Sequence, residues 1–193
     1  MTDANAHLRE LNHRVKNNLQ IIVSLMNLKK RTLPVDRWED IRFLQEHVQS
    51  MAVAYRLIYD TGETAEVPIS ELLSEVISEL RQIAKLDMGQ IRVAGTAIDE
   101  TVGLDQAIAF GLYLAVVLPP YLDRARLSGG TVVVSAWVEA RQLTLSIAGS
   151  WGELVQSDLL RGRLSDAYIG QLQATQLPSS DPSERRCRLP LDQ

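Results

Sequence analysis

The residues best suited to chemistry lie in one run, HRVKNNLQ, at positions 13–20. Its histidine, His13, falls two residues after Leu11 and two before Val15, which directs it away from the apolar side of a helix at about 100° per residue. With an ordinary pKa of about 6.5, an exposed imidazole keeps a good share of neutral rings. The lone pair of a neutral ring nitrogen can attack phosphorus. The run therefore indicates a nucleophile for phosphoryl transfer.

Polar neighbours suit the same chemistry. Arg14 can pair with phosphate oxygens, and Asn17, one helical turn further on, can hold a ring nitrogen, a phosphoryl oxygen or a water molecule. Glu10 can accept the proton on the other ring nitrogen and so fix the tautomer. A lone surface histidine is usually inert, and spacing alone leaves that alternative open, although two adjacent asparagines lower helix propensity and indicate a compensating use. His7 and His47 lack comparable neighbours and are interpreted as solvated.

Composition excludes several classes of protein. The 193 residues are 46% hydrophobic with a formal net charge of −4, which is typical of a folded chain without a basic surface for nucleic acid. No apolar run approaches the roughly 18 residues that cross a bilayer, and the polar N-terminus lacks a signal-peptide core. A single cysteine, Cys187, and three histidines predict neither a disulfide nor a metal site. We expect a cytoplasmic protein that binds neither membranes nor metal.

The first 62 residues predict an antiparallel helical hairpin. Residues 3–32 contain neither Gly nor Pro, and their apolar residues recur in steps of three and four. Pro34 ends this helix, and a second helix over 37–60 carries a heptad seam from Ile41 to Ile58. A two-helix hairpin has too little core to stand alone, so two copies are expected to form a four-helix bundle in a homodimer.

Residues 66–193 predict an α+β domain, with helices on one face of a mostly antiparallel sheet. The segment Tyr113 to Leu118 is interpreted as core rather than as a ligand pocket, and residues 177–186 are nearest to a disordered loop. Helices are predicted at 69–85, 104–118 and 155–177, and strands at 90–95, 131–138, 142–147 and 186–191, the last as an edge strand.

The segment Leu11 to Ile22, LNHRVKNNLQII, closely resembles the phosphoacceptor box of sensor histidine kinases of the HisKA_2 and HWE type. In that family the pattern H-R-x-K-N-x-L lies on the first hairpin helix. The second helix often reads like Ser50 to Tyr59, SMAVAYRLIY. The resemblance implies that His13 is the phosphoacceptor and that the domain after the hairpin has the α/β sandwich fold that binds ATP in the family.

The residues by which the family binds ATP are missing from this chain. The family's N-E-x-x-x-N-A helix corresponds to Leu114 to Tyr121, LAVVLPPY, and no asparagine follows residue 27. Its D-x-G-x-G segment corresponds to Ile147 to Gly152, without the aspartate, and its G-L-G-L turn to Asp166 to Leu172, with one glycine. Unpaired adenine atoms are costly and magnesium needs oxygen ligands. The resemblance therefore implies a degenerate domain that needs no cofactor.

The resulting hypothesis is a pseudokinase that acts as a histidine phosphotransferase in two-component phosphorelay signalling. Its partners would be response-regulator receiver domains, which bring their own Mg²⁺, and an upstream histidine kinase. Three alternatives stay open: a receiver phosphatase in which Asn17 orients water, a non-catalytic protein that sequesters a regulator, and an active autokinase. The residues expected to dock the receiver are Arg9, Asn12, Arg14, Lys16, Asn17 and Gln20 on the first helix and Arg42, Glu46 and Gln49 on the second. Those on the second helix are explained equally well as solvated charge.

Overall fold

The N-terminal part of the chain forms the predicted helical hairpin. A computed structural model describes residues 15, 19–28, 31, 33–34, 38–60, 66–95, 98–153 and 158–191. Helix α1 is described over Leu19–Leu28, and helix α2 spans Trp38–Asp60. The Gln45 amide donates to Asn27 Oδ1 at 3.4 Å, while Gln20 lines a cleft with Arg56, so the two helices run antiparallel.

The remaining elements form a mixed domain of helices and sheet, which confirms the predicted α+β class. One five-stranded sheet has the order β2-β4-β5-β7-β6, in which only the β2–β4 pair is parallel, and β1 pairs with β3 in a small second sheet. The elements in chain order are β1 (Glu66–Pro68), α3 (Ile69–Ala84), a 3-10 turn (Met88–Gln90), β2 (Ile91–Ala94), β3 (Thr101–Gly103), α4 (Leu104–Val117), α5 (Pro119–Ser128), β4 (Val132–Glu139), β5 (Gln142–Gly149), α6 (Leu159–Gln171), β6 (Thr175–Leu177) and β7 (Glu184–Pro190).

The core lies between the helices and one face of the sheet. Alternate residues of β4, Val132, Val134 and Ala136, are fully buried, as the period of two in a strand requires. Helix α4 is buried on nearly all sides, and the prediction that Tyr113 to Leu118 is core is confirmed. The stretch Leu104–Ser128 is long and apolar enough to cross a membrane by composition, but 72% of its most apolar window is buried inside the domain. That burial is typical of a core helix.

Several predicted elements differ from the structure. Helix α5 was not predicted, because Pro119 and Pro120 suggested a break, whereas proline is well suited to the first turn of a new helix. The helical stretch ends at Gln171 and β6 follows it, so β7 pairs on both sides and is not an edge strand. Pro190 is tolerated because it lies beyond the last β6 pairing, at Arg188. The segment expected to be disordered is held by Ser183, whose hydroxyl donates to Gly149 O at 2.8 Å.

Helix α2 packs into the core of the α+β domain. The backbone of α2 closely approaches Gly111 on α4, where an added Cβ would lie 3.3 Å from Ser50 O. The predicted domain boundary, residues 63–65, lies outside the described residues, but the helix before it and the elements after it share one core. The heptad seam is not the most buried face of α2, since Leu44 is 47% exposed. The buried α2 residues are Glu46, Ser50, Val53, Ala54, Leu57 and Ile58.

Candidate functional site

Most of the sequence-predicted phosphotransfer residues lie outside the described residues. This applies to His13, Arg14, Asn17 and Glu10, and to the docking candidates Arg9, Asn12 and Lys16, whose roles stay predictions. Gln20 is described and is exposed on α1.

A cleft of about 220 Å³ lies between α1 and α2. The α2 wall is connected to α3, because Gln49 Nε2 donates to Glu79 Oε2 at 2.7 Å and Arg56 pairs with Glu75. The structure therefore brings together two of the predicted docking residues, Gln20 and Gln49, at one cleft. Its lining residues are Gln20, Val23, Ser24, Gln49, Ala52 and Arg56.

Arg42 and Glu46 lie inside the structure, and the expectation that they form an exposed docking face is wrong. The Glu46 side chain is 1% exposed, and its carboxylate accepts hydrogen bonds from Arg42 Nε at 2.9 Å and from Arg161 Nη2 at 2.7 Å. Arg42 also donates to Asp123 Oδ1 at 2.8 Å. The prediction considered the hairpin alone, whereas α4 and α6 of the α+β domain cover this face of α2.

Burial changes the ionisation of this group of residues. Burial raises the pKa of Glu46, and the charges and hydrogen bonds of Arg161 and Arg42 oppose that effect. For Arg42, burial acts to lower the pKa, but the hydrogen bond to Asp123 and the charges of Glu46 and Asp123 raise it above its ordinary value. The two direct guanidinium bonds favour the ionised form of the Glu46 carboxylate and so oppose part of the effect of burial.

His47 is not the solvated residue that the sequence suggested. Its ring is half-buried against Phe43, with ring centroids 4.3 Å apart, and its Nδ1 lies 2.8 Å from Phe43 O. Nδ1 therefore donates to that carbonyl, and Nε2 is buried without a hydrogen-bond partner among the described residues. Burial lowers the pKa of His47, and the nearby charge of Arg161 lowers it further. The ring is therefore neutral near pH 7.

The segments that the resemblance predicts to correspond to the family's nucleotide site are filled by this chain's own side chains or lie in a helix. The side chains from Ala115 to Leu118 are at most 3% exposed and contain no oxygen. A Cβ added at Gly149 would lie 2.1 Å from Trp151 Cζ2, so the indole fills the space beside that glycine. The segment compared with the glycine-rich turn, Asp166 to Leu172, is the last part of α6 and its cap rather than a turn. Among the described residues, no cluster of histidine, cysteine and acidic side chains is suited to hold a metal ion.

Sequence reasoning missed Arg161 and Asp123, which complete the contacts of Glu46 and Arg42. The only sequence signal for Arg161 was the pair Pro119-Pro120, which removes two backbone donors from a buried apolar helix. A buried helix without those donors needs another group to pair with its carbonyl oxygens. That requirement does not identify which residue provides it.

Comparison with known proteins shows one matching family model and several structures of similar fold. Residues 10–84 match the family model HisKA_2, described as a histidine kinase. In fold, the chain is similar to the histidine kinase domain from the blue-light activated histidine kinase EL346 of Erythrobacter litoralis, with a TM-score of 0.65 and 21% identity over 99% of this chain and 96% of that domain. A longer structure of EL346 gives a TM-score of 0.66 and 20% identity, over 100% of this chain and 64% of that one. No curated protein matches significantly.

The fold is therefore that of a histidine kinase domain. The resemblance to the HisKA_2 histidine kinases is confirmed, because that family model matches residues 10–84, a stretch that includes His13 and ends with α3. A match to a histidine kinase model implies two-component signalling.

Proposed function

We propose that this chain is a histidine phosphotransferase that relays a phosphoryl group between receiver-domain aspartates through His13, without binding ATP. A ring nitrogen of His13 attacks the phosphorus of a receiver's aspartyl phosphate, the P–O bond to the aspartate breaks, and the aspartate leaves as a carboxylate. Glu10 holds the proton on the other ring nitrogen. The aspartate of a second receiver then attacks the phosphohistidine and restores the free imidazole. The receivers supply Mg²⁺, so this chain contributes positioning and charge neutralisation.

The observation that carries this proposal is the burial of the apolar helix that corresponds to the family's magnesium and nucleotide helix. Magnesium binds oxygen ligands and demands nearly octahedral geometry. The side chains from Ala115 to Leu118 offer no oxygen and face the hydrophobic core. These residues do not fit a magnesium nucleotide, and a phosphohistidine formed on this chain then needs a phosphorylated protein as its donor.

The position of Trp151 supports the same conclusion. Its indole lies where a side chain at Gly149 would be, and its ring centroid is 6.0 Å from that of Tyr121 on α5. The family's D-x-G-x-G segment needs both a carboxylate for the adenine amino group and open space above its glycines. With Gly149 as the first glycine of this pattern, the aspartate position is Ile147 and the second glycine position is Trp151, so an adenine amino group would be left unpaired.

The exposed apolar face of α1 supports a homodimer. Four large apolar side chains of this helix are between 40% and 59% exposed, and Leu44 of α2 is 47% exposed. A contiguous apolar face of this kind is typical of an interaction surface. Two hairpins that bury these faces against each other would form the four-helix bundle that the sequence predicts. The four α1 residues are Ile21, Ile22, Leu25 and Leu28.

The proposal is tested by incubating the purified chain with a receiver domain carrying radiolabelled aspartyl phosphate. We expect acid-labile, base-stable label on the wild-type chain and none on His13→Ala. His7→Ala is the matched control, because this second histidine of the segment predicted to be helical has no proposed role, and it should be labelled like the wild type. Labelled ATP with Mg²⁺ should leave no label on any of the three proteins.

Other outcomes contradict the proposal in different ways. Equal labelling of His13→Ala and the wild type would assign the phosphoryl group to another residue. Labelling from ATP alone would establish an autokinase. Faster loss of phosphate from the receiver, with no label on this chain and no dependence on the His13 imidazole, would establish the phosphatase alternative.

A further inference from the structure

The break between α4 and α5 leaves two buried backbone carbonyls without their usual donors. In an α-helix, each carbonyl oxygen accepts a hydrogen bond from the N–H four residues later. The partners of Ala115 O and Val116 O would be the N–H groups of residues 119 and 120, and both residues are proline, which has none. Ala115 and Val116 are at most 1% exposed, so water does not reach these carbonyls easily. An unpaired carbonyl in that position is strongly unfavourable.

Arg161 of α6 supplies the missing donor. Its Nη1 donates to Ala115 O at 3.0 Å and to Val116 O at 3.5 Å, which are the two carbonyls affected by the prolines. The guanidinium also lies 5.0 Å from the centre of the Phe43 ring on α2, in a cation–π contact. The Arg161 side chain is 12% exposed, so these contacts form away from bulk water.

The same guanidinium connects the helix break to α2. Arg161 Nη2 donates to Glu46 Oε2 at 2.7 Å, Glu46 Oε1 accepts from Arg42 Nε, and Arg42 Nη1 reaches Asp123 on α5. We call Arg42, Glu46, Asp123 and Arg161 the Glu46 cluster. Its contacts form a closed circuit from α5 through α2 and α6 to the end of α4, where α5 begins.

We propose that Arg161 is a positioning residue. Its guanidinium is anchored on the two buried carbonyls that Pro119 and Pro120 leave without N–H partners, and it holds α2 at one place on the α+β domain through Glu46. Hydrophobic packing is non-directional, whereas a guanidinium fixed on both sides by hydrogen bonds defines one register and one orientation. Only the purpose of this positioning, which is to hold the hairpin that carries His13, rests on the proposed function.

The carbonyl contacts are tested by restoring the missing donors. Arg161→Met should lower the melting temperature by about 6 to 20 °C, because it leaves a buried carboxylate and two carbonyls with fewer partners in a chain of this size. In a Pro119→Ala, Pro120→Ala background, the new N–H groups can pair with the same carbonyls, so the loss caused by Arg161→Met should be clearly smaller. Glu46→Gln leaves the carbonyl contacts intact, and its effect should be the same in both backgrounds. An equal loss for Arg161→Met in both backgrounds would overturn this part.

The positioning role is tested by hydrogen–deuterium exchange of the full chain. Arg161→Met and Glu46→Gln should accelerate exchange of α2 and α6 amides by at least about a hundredfold, and by clearly more than the exchange of β4 and β5 amides, because a local detachment opens the helices it releases before the sheet unfolds. Arg124→Met removes an exposed arginine that pairs with Glu153 and is the matched control, with no change expected.

Equal acceleration in all elements would show that Arg161 contributes only general stability and would overturn the proposal, as would unchanged protection of α2. If Glu46→Gln does not fold, Asp123→Asn, which alters the more exposed end of the cluster, should still accelerate exchange of α2, and no acceleration would count against the proposal. These measurements involve no receiver and no phosphate. Their failure therefore leaves the phosphotransfer proposal intact, and the failure of labelling at His13 leaves the positioning proposal intact.

Discussion

The close approach of α2 to α4 can be tested by adding a single methyl group to Gly111. In Gly111→Ala the new Cβ lies 3.3 Å from Ser50 O and 3.7 Å from Ser50 C and Cβ. The neighbouring atoms belong to the backbone of α2, which cannot turn aside as a flexible side chain can. Overpacking of this kind costs about 1–3 kcal/mol, and the better helix propensity of alanine returns about 0.8–1.0 kcal/mol. The net effect ranges from nearly neutral to a loss of about 2 kcal/mol.

Gly162→Ala on α6 provides the matched control, because an added Cβ there meets open space. This variant gains only the helix propensity, about 0.8–1.0 kcal/mol. The two variants should therefore differ by about 1–3 kcal/mol, which corresponds to about 2–12 °C in melting temperature for a chain of this length. Scanning calorimetry measures the difference directly. If Gly111→Ala raises the melting temperature as much as Gly162→Ala does, α2 is not seated against α4 and the Glu46 cluster has no structural basis.

Three other measurements test separate parts of the structure. Burial lowers the pKa of His47, so the unfolded chain takes up a proton on this residue first as the pH falls below about 6.5. The folded state therefore loses stability between that pH and the lower pKa of the folded chain. In thermal melts, the fall in melting temperature with acid should be smaller for His47→Gln than for the wild type, and an equal fall would contradict the buried environment of His47. If the chain forms the proposed homodimer, the double variant Ile21→Ser, Leu25→Ser should be a monomer in light scattering, whereas Met88→Ser, which changes an exposed side chain outside the hairpin, should remain a dimer. Trp151→Gly should show no heat of MgATP binding in calorimetry, since opening the space restores neither the carboxylate nor the magnesium ligands, and measurable binding would refute the reasoning.

Periodicity in the sequence predicted the elements that have regular apolar spacing. The second hairpin helix, the strand pair at Ala140 and the buried helix before Pro119 follow from apolar spacing and turn residues, and the structure places them close to the predicted bounds. Helix α5 and strand β6 were missed for different reasons. Two adjacent prolines are compatible both with the end of one helix and with the first turn of the next, and a three-residue strand is too short to show a period of two.

Contacts between distant segments explain the errors at the candidate site. Glu46 has the sequence environment of a solvated charge, and its burial depends on Arg161, which is 115 residues away in the chain. The sequence does contain a trace of the packing, since Ser50 and Ala54 are small residues one turn apart on α2 and Gly111 lies opposite. Small residues permit close helix approach but do not identify the helix that approaches. The family resemblance identified the hairpin, but it left open which hairpin face the following domain covers.

The shared use of Arg161 has a consequence for the history of this chain. The residues at positions 119, 120 and 161 depend on one another, because one guanidinium replaces the two amide hydrogens that the prolines lack. A descendant that loses the arginine gains by replacing the prolines, and a relative that has ordinary residues at 119 and 120 has no such need for a cation on the sixth helix. Substitutions at these sites should therefore be inherited together in an alignment of relatives, and a relative with both prolines but no nearby donor would have to find water or another side chain for the same two oxygens.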